Sequence, residues 1–131
     1  MIECAIIGDS IAVGVSRAMP KCHRVAVGGI NSQNYVKQYT SKVEAGRVLI
    51  SIGSNDPANM NSEENMTAMR KKVTGKVTWL LSANNAKGNE AAKKVAKTFG
   101  DAVLEVKPYL GPKDKVHPDP NGYKKITTDW K

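Results

Sequence analysis

At 131 residues the chain suits one domain spanning positions 1–131. Its 40% hydrophobic and 24% charged content is that of a folded globular protein and excludes a disordered one. The net charge of +8 favours polyanions, but the lysines are scattered, with neither zinc-finger spacing nor an aromatic RNA-binding sheet pattern, so nucleic acid is a weak candidate partner.

The first apolar run, Glu3 to Ile7, reads as a buried strand, followed by a short helix from about Ser10 to Met19 that Pro20 stops. Arg24 to Val27 is a second strand. A Gly28-Gly29 turn then leads to a helix around Ser32 to Tyr39. Arg47 to Ile52 is a third strand, apolar and rich in β-branched residues. Asn61 and Glu64 make a capping pair for the next helix, and Met66, Met69 and Val73 share one face of it as core. Lys76 to Leu81 is a fourth strand. Asn89 is the expected cap of the following helix, which carries Ala91, Val95 and Phe99 on one face and ends at Gly100. Ala102 to Val106 is a fifth strand, Lys107 to Pro120 a proline-marked loop, and a last helix begins near Asn121 with Tyr123, Ile126 and Trp130 facing inward.

Strands alternating with helices imply an α/β fold: a three-layer α/β/α sandwich around a five-stranded parallel sheet, flavodoxin-like, with order 2-1-3-4-5. In that order ligands sit at the carboxyl ends of the strands, near the switch between strands 1 and 3. No apolar run approaches the roughly 20 residues of a membrane span. No signal-like segment opens the chain, which reads as cytoplasmic at synthesis, with export or virion association by another route left open. Cys4 and Cys22 form no C-x-x-C pair, and no cluster offers four metal ligands. Cys4 is expected as apolar filler, and a Cys4–Cys22 disulfide is not expected in a reducing compartment.

Four short segments each follow a predicted strand: Gly8-Asp9-Ser10, Gly28-Gly29, Gly53-Ser54-Asn55-Asp56 and Asp114-Lys115-Val116-His117-Pro118. A serine hydroxyl is a poor nucleophile until a base takes its proton. His117 is the candidate base for Ser10, and Asp114, three residues earlier, can hold its imidazole in the right tautomer. The oxyanion of a tetrahedral intermediate needs aimed donors. Ser10 N–H, Gly29 N–H and the Asn55 amide are the candidates, with Gly28 the alternative to Gly29. His117 must return from strand 5 over roughly 14 Å. The preceding loop can span roughly 30 Å when extended. Each signal has a plain reading of its own: Ser10 as a helix cap, Gly28-Gly29 and Asn55 as turns, Asp114 as a solvated carboxylate. His23, with no matching acid, reads as structural. The argument rests on order, spacing and placement at strand ends together.

These blocks resemble the SGNH hydrolase family, also called GDSL-type esterases and lipases, as a minimal-length member. Gly8-Asp9-Ser10 matches the nucleophile block, with Ile11 where leucine is common. Gly29 matches the glycine block, Gly53-Ser54-Asn55-Asp56 the G-x-N-D block, and Asp114-x-x-His117-Pro118 the D-x-x-H block, with Gly122-Tyr123 continuing the pattern. The resemblance implies the same three-layer fold, a catalytic Ser10, Asp114 and His117, and an oxyanion hole of Ser10, Gly29 and Asn55, with no metal or other cofactor.

The expected function is that of a serine esterase acting on short acyl esters, with O-acetyl groups on carbohydrate or cell-envelope glycans as candidate substrates and a bacterial or phage source as a conjecture. Thioester and lysophospholipid substrates stay open. An inactive carbohydrate- or ligand-binding module on the same fold is the alternative. A nucleotide-binding domain ranks lower, because neither G-x-x-x-x-G-K-[ST] nor G-x-G-x-x-G follows the first strand. Acyl group, alcohol and oligomeric state are not specified.

Overall fold

The computed structural model describes residues 2–131. Its elements run β1 (Ile2–Gly8), α1 (Ser10–Ala18), β2 (His23–Ala26), α2 (Ser32–Gln38), β3 (Val43–Ser51), α3 (Ser62–Arg70), β4 (Val73–Leu81), α4 (Ala86–Phe99), β5 (Ala102–Glu105), a 3-10 turn at Lys107–Tyr109 and α5 (Pro120–Asp129). The strands form one sheet in the order β2-β1-β3-β4-β5, every adjacent pair parallel.

Successive strand residues point to opposite faces, so each central strand serves two cores. Ala5, Ile7, Val48, Ile50 and Trp79 face one way, joining Tyr35, Met66, Met69 and Val95 from α2, α3 and α4. Cys4, Ile6, Leu49 and Leu80 face the other, meeting Ile11 and Val15 of α1 and Ile126 of α5. Helices on both faces explain why the central strands read as unbroken apolar runs. Arg47 closes the second layer: it donates to the Trp130 carbonyl at 2.7 Å and lies over the Trp130 ring. No helix among the described residues is long and apolar enough to cross a membrane.

Three expectations need correction. Cys4 and Cys22 form a disulfide. They lie 18 positions apart in sequence, but Ala5 pairs with His23, so the preceding residues, Cys4 in β1 and Cys22 just before β2, stand side by side. Asn85, not Asn89, caps α4, accepting from Gly88 N–H at 2.9 Å. Asn89 instead holds both Ser82 N–H (2.9 Å) and Ser82 carbonyl (2.7 Å), tying α4 to the end of β4. Gly88 belongs inside the helix because a side chain there would press on the Gly53 carbonyl. Val73 is buried as expected but opens β4 rather than extending the Met66–Met69 helix face.

Candidate active site

The carboxyl ends of β1, β2 and β3 bring three of the four segments together. Gly8 ends β1 with φ +132°, a conformation side chains disfavour, and a Cβ there would collide with the Ser51 carbonyl. The chain then turns sharply, and Asp9 caps α1 by accepting from Ile11 N–H at 3.1 Å. Ser10 is consequently the first residue of α1, where backbone N–H groups lack partners within the helix.

Asp9 itself is fully buried. Its N–H donates to the Ser51 carbonyl (2.8 Å), and Ser51 Oγ donates to its Oδ1 (3.0 Å). Its Oδ2 is buried without a partner. Desolvation pushes its pKa up to about 6, against the lowering effect of the Ser51 hydroxyl and backbone N–H donors.

His117 arrives from beyond β5. The route is fixed by the 3-10 turn at Lys107–Tyr109, a bridge between Leu110 and Pro118, and close packing of Gly122 on the Tyr109 carbonyl. The Tyr109 hydroxyl donates to Asp129, anchoring the loop to α5. His117 Nε2 lies 2.9 Å from Ser10 Oγ, and His117 Nδ1 lies 3.1 Å from Asp114 Oδ2. Asp114 Oδ1 accepts from the Val116 and His117 N–H groups at 2.8 and 3.0 Å. Those backbone donors, His117 N–H first, hold the Asp114 carboxyl below the usual carboxylate range. The three side chains therefore form one hydrogen-bonded chain, able to pass a proton from a hydroxyl to a carboxylate-supported imidazole.

The glycine and Asn55 segments lie beside it. A Cβ on Gly28 would rest 3.9 Å from Ser10 Cβ, whereas Gly29 has φ +78° and open space where its Cβ would point. Asn55 Nδ2 donates to the Ile30 carbonyl at 3.1 Å, which ties the loop after β3 to the loop after β2. Asp56 is buried beneath both. Its Oδ1 accepts from Ser32 N–H (2.7 Å), and its Oδ2 accepts from the hydroxyls of Ser32 and Ser62 (2.6 Å each). Sequence reasoning placed Asp56 in a motif without giving it a task, and did the same with Asp9. The available signals were a serine at the first position of both flanking helices, Ser32 and Ser62, and an apolar residue two places after Asp9.

His23 is exposed at the edge of the sheet. A cavity of about 280 Å³ lined by Val25, Tyr35, Tyr39 and Lys42 lies beside β2, away from Ser10. Another, of about 430 Å³, is bounded by Asp114, His117 and Pro118.

No protein-family model and no curated protein matches the chain. Its fold is nonetheless shared with solved structures. One, described as a lipolytic protein of the G-D-S-L family from Desulfitobacterium hafniense DCB-2, is 16% identical, with a TM-score of 0.63 over 98% of this chain and 97% of that one. The C-terminal catalytic domain of peptidoglycan O-acetyltransferase A from Streptococcus pneumoniae is 15% identical, with a TM-score of 0.58 over 97% and 91%. A carbohydrate acetylesterase family member from Sinorhizobium meliloti is 10% identical, with a TM-score of 0.56 over 97% and 94%. By its sheet order and by these superpositions, this chain has the fold of the G-D-S-L-type, or SGNH, hydrolases.

Proposed function

We propose that this protein is a serine esterase that hydrolyses short acyl esters through an acyl-enzyme on Ser10. The observation that carries the reading is the continuous contact from Ser10 Oγ to His117 Nε2 and from His117 Nδ1 to Asp114 Oδ2. Ser10 Oγ attacks the ester carbonyl while its proton passes to Nε2. Asp114 stabilises the resulting imidazolium and remains ionised. The new oxyanion is held by the N–H groups of Ser10 and Gly29 and by Asn55 Nδ2. Collapse of the intermediate breaks the bond to the alcohol oxygen, which takes the proton from His117. Water, deprotonated by His117, then attacks the acyl-serine and releases the carboxylic acid and free Ser10.

The open surroundings of the site support a small acyl group. The Asp114 and His117 side chains are 53% and 41% exposed, so nothing there encloses a long chain. O-acetyl groups on carbohydrate fit such a site. Two of the proteins sharing the fold, the carbohydrate acetylesterase and the peptidoglycan O-acetyltransferase, support that choice by analogy.

The test is hydrolysis of p-nitrophenyl esters of increasing chain length by the wild type and by Ser10→Ala. The expected outcome is turnover falling with acyl length and a loss of at least about 10³-fold in kcat in the variant. A folded wild type that neither hydrolyses these esters nor reacts with a fluorophosphonate would replace the enzyme with a binding module.

A further inference from the structure

Beyond His117 the site continues into a second cleft. Pro118, which follows the histidine, borders the cavity that holds Asp114 and His117 and also one of about 270 Å³ between α1 and α5. Arg17, Pro120, Tyr123 and Lys124 line this second cleft. Arg17 lies seven positions after Ser10 on α1, about 10 Å along the axis. The cleft therefore adjoins Ser10 and His117 rather than containing them.

Its chemistry is cationic and partly aromatic. No ion pair or side-chain hydrogen bond among the described residues engages the Arg17 guanidinium or the Lys124 ammonium. The two carboxylates that line the adjoining cavity, Asp114 and Asp119, both have backbone donors. Asp114 accepts from two backbone N–H groups and faces His117, and Asp119 accepts from Gly122 N–H at 2.8 Å. Tyr123 is held in place by Gly14, where any Cβ would collide with the phenol ring. Burial, reinforced by the negative charges of Asp9 and Asp114 and opposed by Arg17, pushes the phenol up to about 12, so its hydroxyl stays a donor.

We propose that this cleft is a subsite for an anionic sugar unit, so that the substrate is an acylated glycan carrying carboxylates. The proposal rests on the esterase reading for its acyl group. A guanidinium and an ammonium flanking a fixed phenol match a carboxylate beside a sugar ring. A neutral glycan would leave both cations unanswered, and an aliphatic chain would have to lie against them.

The experiment compares acetylated oligogalacturonides with acetylated xylo-oligosaccharides of equal length, using wild type, Arg17→Gln/Lys124→Gln, and Lys94→Gln/Lys97→Gln. The last removes equal charge from α4, outside the cleft. In wild type, kcat/KM is expected to be higher on the uronate series, carried by KM. That preference should fall about tenfold in the Arg17/Lys124 variant and persist in the α4 variant. Equal rates on the two series, or equal losses in both variants, would overturn the subsite. Calorimetric binding of unacetylated oligogalacturonate to Ser10→Ala separates the subsite from the esterase reading. Binding that weakens in the Arg17/Lys124 background supports the subsite even if no ester is turned over. Absence of binding, or equally tight binding of an oligothymidylate of the same charge, overturns it.

Discussion

Asp9, which precedes Ser10, and Asp114, which is linked to it through His117, are pushed in opposite directions. Burial raises Asp9 from the ordinary carboxyl value of 3.8 to about 6. Between those values the folded state binds more protons than the unfolded one, so the Asp9 contribution to stability falls as pH rises from about 4 to about 6. The full drop is as much as about 3 kcal/mol. Asparagine can still cap α1 through its side-chain oxygen but does not titrate. The stability difference between wild type and Asp9→Asn, read from urea unfolding at several pH values, should therefore shift in that direction across the window. A flat difference would mean that Asp9 keeps its charge at low pH. Asp114 has the opposite sign: its carboxyl is held low, and its contribution is lost as pH falls through that depressed value.

Among the elements, the loops after β2 and β3 depend on one carboxylate. Asp56 accepts from the first residues of α2 and α3, so both loops are held by a residue that does not touch Ser10 in the structure. Asp56→Ala would leave the Ser32 N–H and two hydroxyls without this acceptor. It is expected to cost about 2–4 kcal/mol in denaturant unfolding and to lower kcat through loss of loop position. A stable variant with unchanged kcat would show that the loops hold themselves. At this scale most elements were readable from the residues. The β-branched run at Arg47 to Ile52 and the stop at Pro20 both carried local signals strong enough to place them. The errors arose where local signals conflicted. Asn89 was expected as the cap, but α4 starts one turn earlier at Asn85, because glycine at position 88 lets that first turn approach Gly53 closely. Strands β3 and β4 start earlier than their apolar runs, because Glu44 and Thr74 pair through the backbone whatever their side chains.

For the whole molecule, sheet order was legible because alternation and right-handed crossover leave few options. The meeting of Ser10 with His117 was legible as a possibility of chain length and is a fact of packing, achieved by the Tyr109–Asp129 and Leu110–Pro118 contacts. The disulfide was not legible, because cysteine spacing gives no register, and only the pairing of Ala5 with His23 brings the sulfurs together. A loop of this size, 18 residues in separation, is expected to contribute about 3 kcal/mol. Replacing both cysteines with alanine should lower unfolding free energy by about that amount, and an unchanged value would make the bond incidental to stability.

Both sulfurs lie in the core, Cys4 2% and Cys22 7% exposed. Solvent reductants and oxidants reach them slowly once the fold has closed, so the bridge records the conditions under which the chain matured. Protein isolated from its natural source and unfolded in the presence of a thiol reagent would reveal that history. Two labelled sulfurs would mark a reducing birthplace. None, with a mass lower by two hydrogens, would mark an oxidising one.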